Sequence, residues 1–309
     1  MIQESSGDIF QWLRGFYYVA VTESFSKAAL EIGRSQSAVT IQVRNLENEF
    51  NLKLFDRSST KVKLTHEGRK FFEKTILIFE IIDELRYLGQ EEMSCLEGVI
   101  SLATPYSVLQ YYLPQCVADL KTNYPQIKVT ISGCFNHEML HKLDVGEADF
   151  GIYSPIESLE KYSHLKLFET QFVLIANKNE QFQFETGEIT LDQIAKKTFV
   201  HYNQSSNLRK IIESKFMENG LNIHTHIEVN HFETIKRYVE LGLGISIINS
   251  ICLSESDNLR FRIIPMDRFF KKRIYYLINR KGKYISPPAQ KLIESVIAHN
   301  TCSEFSLTK

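Results

Sequence analysis

The chain has 309 residues, of which 43% are hydrophobic and 24% charged, and its formal net charge is −1. This length predicts two or three domains, because one small hydrophobic core does not organise so long a chain. The balanced charge excludes a uniformly basic protein, so any surface that binds nucleic acid must be a local one.

The first fifty residues predict three helices, of which the second and third form a helix-turn-helix. Apolar side chains at helical spacing, such as Trp12 and Phe16, indicate the first helix, and we expect Ser26 to cap the second. Gly33 suits the tight connection that follows. The helices are expected at about residues 9–22, 27–32 and 35–50. The third helix would be the recognition helix, which enters the major groove.

A small β-hairpin, the wing, is expected after the recognition helix. Residues 54–57 and 62–65 predict two short strands around a polar tip at residues 58–61. Residues 9–65 would thus form a winged helix-turn-helix domain. Several basic residues cluster around the recognition helix and the hairpin, where a phosphate backbone would run.

Residues 66–94 predict a linker and dimerisation helix that runs to about Met93. Its apolar side chains spread over more than one face, so the helix needs several packing partners. These side chains are Phe71, Phe72, Ile76, Ile78, Phe79, Ile82, Leu85 and Leu88. Its own domain covers only part of this surface, so we predict that a second subunit covers the rest. The alternative is a helix buried wholly within its own chain.

From residue 97 onward, strands and helices alternate, beginning as βαβαβ. Strands are expected at residues 99–103, 127–132, 149–153, 171–177, 198–201, 226–229, 245–248, 261–265 and 273–279. Helices are expected at residues 109–123, 137–145, 191–196, 207–219, 232–241 and 288–298. This order predicts a two-lobed domain over residues 97–300 with a cleft between the lobes. The lobes would be lobe I, about 97–170 and 269–300, and lobe II, about 171–268.

These residues resemble the LysR-type transcriptional regulator family over about residues 9–298. In the DNA-binding part the resemblance rests on Ser24-Phe25-Ser26, Ala28-Ala29, Ser35-Gln36, Gln42-Val43, Leu46-Glu47, Leu54-Phe55-Asp56-Arg57 and Leu64-Thr65-His66-Glu67-Gly68. Farther along it rests on Gly98-Val99-Ile100-Ser101-Leu102, Leu113-Pro114, Asp149-Phe150-Gly151-Ile152 and Gly242-Leu243-Gly244-Ile245.

The resemblance implies an α/β protein with an N-terminal winged helix-turn-helix, a long linker helix and a two-lobed α/β domain similar to a periplasmic binding protein. It also implies a regulator that binds pseudo-palindromic promoter DNA as a dimer of dimers and senses a small molecule. Two positions depart from the family pattern, since Ser37 stands where Pro is usual and Ile41 where a basic residue is common. Ile41 cannot donate a hydrogen bond to a base or phosphate, so the preferred operator should differ.

The DNA-binding residues are expected on the recognition helix, the helix before it and the wing. Gln and Arg side chains pair with adenine and guanine edges, and Ser, Thr and Lys suit bases or phosphates. The candidates are Lys27, Ser35, Gln36, Ser37, Thr40, Arg44, Arg57 and Lys61. Polar helix faces are often only solvated, and Arg57 has the alternative of bonding carbonyls or an acid within the hairpin.

The effector is expected where strands end and helices begin, because hydroxyl and backbone N–H groups gather there. The candidates are Thr104, Tyr106, Ser107, Ser132, Tyr153, Tyr202, Asn203, Ser205 and Ser206. Hydroxyl and amide groups outnumber acids in these loops, which favours a small polar or anionic ligand. Ser107 has the alternative role of a helix N-cap, and Arg209 either adds a charge or points outward from its helix.

Three further motifs have structural interpretations. The glycines at 242 and 244 follow a helix rather than a strand, which predicts a helix end and not a dinucleotide site. A metal site at His224, His226 and His231 lacks a partner ligand at convincing spacing, so no metal or other cofactor is expected. The five cysteines are far apart, which fits buried thiols in a reducing cytoplasm, with oxidant sensing by Cys134 or Cys252 as the alternative.

The sequence therefore predicts a cytoplasmic transcriptional regulator that is not an enzyme. Its expected partners are double-stranded promoter DNA, a small polar or anionic effector and further copies of itself as dimer or tetramer, with RNA polymerase as another candidate. The start of the sequence lacks a basic segment followed by a long apolar core, so neither a secretory signal nor a membrane partner is expected. A solute-binding protein or enzyme on the same two-lobed fold is the competing hypothesis, and the winged motif argues against it.

Overall fold

The computed structural model describes residues 7–56, 62–87, 96–155, 159–180 and 189–299. The chain divides into two compact units, residues 1–91 and residues 92–309. None of the described helices is long and apolar enough to cross a membrane. The expected α/β fold class is confirmed, with a winged helix-turn-helix in the first unit and a two-lobed domain in the second.

The first unit has helices whose starts are fixed by side-chain caps. In chain order its elements are α1 (Ile9–Thr22), α2 (Phe25–Glu31), α3 (Gln36–Glu49), β1 (Phe55–Asp56), β2 (Lys63–Leu64) and α4 (His66–Tyr87). The Ser35 hydroxyl accepts the Ala38 N–H at 3.2 Å and caps α3. The prediction that Ser26 caps α2 is wrong. This helix begins earlier, and Ser24 accepts the Lys27 N–H at 3.3 Å.

An aromatic core joins α1 to the hairpin and to α4. The ring of Phe16 is fully buried, and its centroid lies 5.3 Å from that of Phe55 and 5.4 Å from that of Phe71. Gly68 permits the close approach of α4 to the hairpin, since an added Cβ would lie 2.1 Å from the Leu54 carbonyl oxygen. These contacts hold the hairpin strands against α1 and α4.

The second unit is a two-lobed α/β domain. Its strands are β3 (Gly98–Thr104), β4 (Ile127–Gly133), β5 (Phe150–Tyr153), β6 (Tyr162–Thr170), β7 (Phe172–Asn177), β8 (Thr198–Tyr202), β9 (His224–Val229), β10 (Ser246–Asn249), β11 (Phe261–Pro265) and β12 (Arg273–Arg280). Its helices are α5 (Tyr106–Tyr111), α6 (Leu113–Asn123), α7 (Asn136–Asp144), α8 (Leu191–Ala195), α9 (Asn207–Glu218), α10 (Phe232–Glu240), α11 (Asp257–Arg260) and α12 (Pro287–Ala298).

Lobe I is built on a five-stranded sheet with the order β4-β3-β5-β12-β6. Strands β4, β3 and β5 are parallel, as expected for βαβ units, and β12 pairs antiparallel with both β5 and β6. Side chains of α6 and α12 pack on this sheet and form a buried core that includes Ile100, Phe150 and Leu292. Because β12 returns from lobe II, the chain crosses between the lobes before and after lobe II.

Lobe II contains an antiparallel sheet, β10-β7-β11, and a parallel pair, β8-β9. A single bridge between Phe199 and Ile245 joins the two groups of strands. Helices α9 and α10 cover them, with Ile212, Phe216 and Ile235 fully buried. The carboxyl ends of β3 and β8 each lead into a helix. Ligands of α/β folds bind at such strand ends.

The structure departs from the predicted elements at several places. Strand β6 and the short helix α11 were not predicted. The helix expected over residues 109–123 is two helices that break at Tyr112, because Pro114 lacks an N–H and is placed in the first turn of α6. The part of the linker helix expected beyond Tyr87 lies outside the described residues.

Candidate DNA-binding surface and ligand cavity

The start of α3 presents an exposed polar surface. The side chains of Ser35, Gln36, Ser37 and Arg44 are exposed, and Thr40 is half-buried. Lys27 on α2 is exposed as well. The opposite side of α3 carries Val39, Val43 and Leu46, all fully buried, so packing alone fixes which face is presented.

Hydrogen bonds at the start of α3 position several of the predicted DNA-binding residues. Ser26 donates to Gln36 Oε1 at 2.9 Å, and the Thr40 hydroxyl donates to the Gln36 carbonyl at 2.8 Å. The Ser35 and Ser37 hydroxyls lie 3.0 Å apart. Ser26, the incorrectly predicted cap, thus orients the Gln36 amide from the neighbouring helix, and this leaves the amide N–H groups to donate outward.

A second contact ties the wing to the recognition helix. The Glu47 carboxylate accepts the Leu54 N–H at 2.9 Å and the Phe55 N–H at 3.3 Å. Arg57 and Lys61 of the predicted contact set lie outside the described residues. Ile41 is 58% exposed on the same helix and offers an apolar contact instead of a hydrogen-bond donor.

The second unit contains a cavity of about 110 Å³ between its two lobes. Five of the nine predicted effector residues line it, two from lobe I and three from lobe II. These are Tyr106, Ser107, Tyr202, Ser205 and Ser206. Ser107 is not a helix N-cap, because α5 begins at Tyr106 and Pro105 precedes it. The two strand-to-helix loops identified from sequence therefore meet in space.

The other four predicted residues are not among the residues that line the cavity. Thr104 is fully buried, and its hydroxyl has no hydrogen-bond partner within the described residues. Tyr153 packs inside lobe I with Met139 and Ile278, so its ring belongs to the hydrophobic core. Asn203 accepts from the Ser205 hydroxyl at 2.8 Å and thereby shapes the loop. Ser132 pairs with Ala103 inside the sheet.

Polar residues that were not predicted also line the cavity, among them Asn249, Arg273 and Tyr275. The Asn249 amide donates to the Thr170 hydroxyl at 2.8 Å and to the Tyr275 phenol at 3.4 Å. The Ser107 side chain interacts with the same phenol and acts to lower its pKa. A polar residue at the end of a buried apolar strand, as Asn249 is after Ile247 and Ile248, is the sequence signal that could have identified it.

The cavity wall is neutral or positive. Its described lining residues include no Asp or Glu. Burial raises the pKa of both Tyr202 and Tyr275, although the Arg273 charge acts in the opposite direction on each. Both phenols therefore stay protonated and can donate hydrogen bonds to a ligand.

Arg209, for which an outward position or a ligand contact was expected, does neither. It is 8% exposed, and its guanidinium donates to the Tyr202 carbonyl at 2.9 Å. The carboxylates of Glu213 and Glu228 each lie 2.7 Å from its nitrogens. Arg209 therefore stabilises the end of β8 and the loop that follows it through the Tyr202 carbonyl.

A charged cluster connects the lobes beside the cavity. Lys236 on α10 is 2% exposed, and its ammonium lies 2.8 Å from Asp257 Oδ2 and 3.1 Å from Glu233 Oε1. Tyr111 at the end of α5 donates to the Glu233 carboxylate and accepts from Lys236. We call Tyr111, Glu233, Lys236 and Asp257 the interlobe cluster.

The remaining motifs have structural roles. Gly242 adopts a φ of +76° after α10, which confirms the predicted helix end. Within the described ranges, no group of three or more His, Cys, Asp or Glu side chains is arranged to hold a metal ion. Burial raises the pKa of the Cys134 and Cys252 thiols, which disfavours the reactive thiolate in this conformation.

Comparison with known proteins identifies both units. Residues 10–69 match the family model described as "Bacterial regulatory helix-turn-helix protein, lysR family", and residues 95–301 match the model "LysR substrate binding domain". The chain is 28% identical to the RuBisCO operon transcriptional regulator of Allochromatium vinosum over 288 residues, 93% of this chain and 94% of that protein. It is 25% identical over 286 residues to the transcriptional activator CmpR of Synechocystis, covering 92% and 93%.

Solved structures share the fold. A full-length OxyR variant from Pseudomonas aeruginosa superimposes with a TM-score of 0.70 at 20% identity and covers 93% of this chain and 97% of that one. The regulatory domain of Synechocystis CcmR in complex with 2-PG superimposes with a TM-score of 0.60 at 21% identity, covering 66% and 98%.

Proposed function

This chain belongs to the LysR family and is a DNA-binding transcriptional regulator modulated by a small-molecule effector, and we propose how its parts divide these tasks. Residues 9–65 bind promoter DNA, residues 66–94 pair two subunits, and residues 97–300 bind the effector. The observation that carries the proposal is the exposed polar surface of α3, where hydrogen bonds position Gln36 and Thr40 and the opposite face of the helix is buried and apolar.

In this proposal, Gln36 and Arg44 contact base edges while Lys27, Arg57 and Lys61 contact phosphates. Glutamine and arginine have donors and acceptors that match adenine and guanine in the major groove. The remaining candidates, Ser35, Ser37 and Thr40, lie in the first turns of α3, where hydroxyls reach a phosphate or base.

Self-association is proposed to use the exposed side of α4. Leu77, Ile81 and Leu85 recur at every fourth residue and are 42%, 56% and 57% exposed. Residues spaced by four lie on one face of a helix, so these three form a continuous apolar stripe. A matching helix from a second subunit would cover it and place two recognition helices on one operator.

The cavity is proposed to bind a small polar or anionic effector and release it unchanged. Hydroxyl groups of Ser107, Ser205 and Ser206 from both lobes face one space, so a ligand there favours one lobe arrangement over another. The lining residues that are described include no carboxylate to orient a catalytic histidine, so we propose that the domain is not an enzyme. Since the target is promoter DNA, the protein would act in the cytoplasm, with RNA polymerase as a further partner.

A gel-shift experiment tests the DNA-binding part of the proposal. The full chain should retard DNA from upstream of its own gene at a lower protein concentration than a scrambled duplex of equal length and composition. The double variant Gln36→Ala/Arg44→Ala should lose the preference but retain weak binding at low salt, because phosphate contacts persist. Equal binding to both duplexes by the parent chain would contradict this proposal.

A further inference from the structure

Arg273 is a buried guanidinium with incomplete pairing. It begins β12, is 8% exposed and lines the cavity between the lobes. Its Nε donates to Ser154 Oγ at 3.1 Å and its Nη2 to the Ser154 carbonyl at 3.3 Å. Nη1 is buried and has no hydrogen-bond partner within the described residues.

No carboxylate among the described residues forms an ion pair with Arg273, in contrast to the buried Arg209, which has two. The Tyr275 ring, whose centroid lies 5.8 Å from the guanidinium carbon, supplies a cation–π contact but no negative charge. A buried positive charge without a counter-ion is unfavourable, because these contacts replace only part of the hydration that it loses. An arriving anion would relieve this cost.

The rest of the cavity wall fits an anion as well. Its described residues contain no Asp or Glu that would repel one. Helices α7, α9 and α10 each contribute residues of their first turn to the wall, including Asn136, Asn207 and Phe232. Helix N-termini carry a partial positive charge and free N–H groups. The Ser206 hydroxyl does not cap α9, so it too is available to a ligand.

We propose that Arg273 is the anion-binding residue of the cavity and that the effector carries a compact oxyanion, either a carboxylate or a phosphate-type group. This inference rests on the proposed function, since it names the chemical class of the effector. Arg273 lies where the chain returns from lobe II to lobe I, and it donates hydrogen bonds to Ser154 just after β5. An anion that binds both Arg273 and groups of lobe II would therefore link the two lobes.

Thermal unfolding of the full chain tests this proposal with defined probes at constant ionic strength. Sodium phosphate and sodium acetate are the two anionic arms, and acetamide is the uncharged counterpart of acetate. At least one anion should raise the unfolding temperature in a saturable way, and acetamide should not, because only a ligand that binds the native state stabilises it. The anion that raises the unfolding temperature at the lower concentration, phosphate or acetate, identifies the class of the effector's charged group.

Arg273→Met should weaken the anion response at least tenfold in apparent Kd. Arg280→Met, which removes an arginine from the same strand outside the cavity wall, is the matched control and should respond like the parent. If Arg273→Met does not fold, Arg273→Lys replaces it and should bind the anion several-fold more weakly, because lysine lacks the planar fork. An Arg273 variant that folds and responds like the parent overturns the proposal.

Arg273 also borders an open groove of about 670 Å³ that includes Lys271. Ser205→Asp adds a carboxylate to the cavity alone and should abolish the anion response, whereas Lys271→Met should leave it intact. The reverse result would overturn the cavity as the binding site. Gel shifts with the same preparations keep the two proposals separate, since normal operator binding without any anion response contradicts only the effector class.

Discussion

The ammonium group of Lys236 in lobe II lies 3.1 Å from the phenolic oxygen of Tyr111 in lobe I. The Tyr111 ring also packs against Phe232, with centroids 5.5 Å apart. Burial, followed by the hydrogen bond to the negative Glu233 carboxylate, raises the pKa of Tyr111, so the phenol stays protonated. The interlobe cluster therefore joins the two lobes directly.

Tyr111→Phe removes the hydroxyl that joins the lobes and keeps the ring. We expect it to destabilise the effector domain by about 1.5 kcal/mol, because the lost hydrogen bonds involve charged groups. Chemical denaturation measures this. Tyr238→Phe on α10 is the control, since its hydroxyl makes no hydrogen bond within the described residues. Equal stability of the two variants would argue against the interlobe role.

Effector response should distinguish a cavity residue from a buried one. Ser205→Ala should weaken effector binding about tenfold, the equivalent of one hydrogen bond to a charged group. Thr104→Val should leave the response unchanged and raise stability by up to about 1 kcal/mol, because it removes a buried hydroxyl without a partner. Ligand-induced shifts of the unfolding temperature provide both measurements. Loss of response in Thr104→Val alone would place the ligand nearer to β3.

His201 should make the stability of the effector domain depend on pH. Its ring is fully buried, and burial, aided by the Arg209 charge, lowers the pKa of His201 to about 4. The unfolded chain has a histidine pKa near 6.5, so it binds more protons than the native chain between these values. The contribution of His201 to the free energy of unfolding is therefore fully present above about pH 6.5. It falls by up to roughly 3 kcal/mol as the pH drops toward 4.

Urea denaturation of the parent, His201→Leu and His224→Leu between pH 4 and pH 7 measures this dependence. The difference in unfolding free energy between parent and His201→Leu should shrink as the pH falls, because the leucine takes up no proton. His224→Leu alters an exposed histidine on β9 and should follow the parent. A constant difference for His201→Leu across the range would show that folding does not lower the pKa of His201.

The recognition helix should lose specificity in two graded steps. Arg44→Ala should weaken operator binding by about 1 to 3 kcal/mol while scrambled DNA is affected less. Ser26→Ala should have a smaller effect in the same direction, because it frees the Gln36 amide without removing it. Gel shifts at fixed salt measure both, and Glu49→Ala at the far end of α3 is the control. Parent-like specificity of Arg44→Ala would remove this residue from the base contacts.

The apolar stripe of α4 should be required for self-association. Leu85→Asp places a carboxylate in a seam that a second helix would bury, and an unpaired buried charge is costly. Light scattering at low micromolar concentration should show a lower mass than for the parent. Arg86→Asp, one residue along and on a different side of the helix, should keep the parent mass, since its exposed ion pair with Asp83 contributes little.

The sequence alone determined the features that depend on local pattern. Helical spacing around Trp12 and Phe16 and the cap at Ser35 are properties of neighbouring residues. The helix-turn-helix and most of the order of strands and helices could therefore be predicted. The loops after β3 and β8 could also be identified as ligand-facing, because each directly follows a buried strand.

Only the tertiary structure decided which polar side chains face the cavity and which are buried elsewhere in the domain. Arg273 and Ser154 are 119 positions apart, and Tyr111 and Lys236 are 125 apart, so no local pattern records that they meet. Tyr153 and Thr104 lie at strand ends, as several residues near the cavity do. The Tyr153 ring nevertheless belongs to the lobe I core, and the Thr104 hydroxyl is buried away from the cavity wall. Which side of a strand becomes interior is set by the elements that pack on it, and those come from distant parts of the chain.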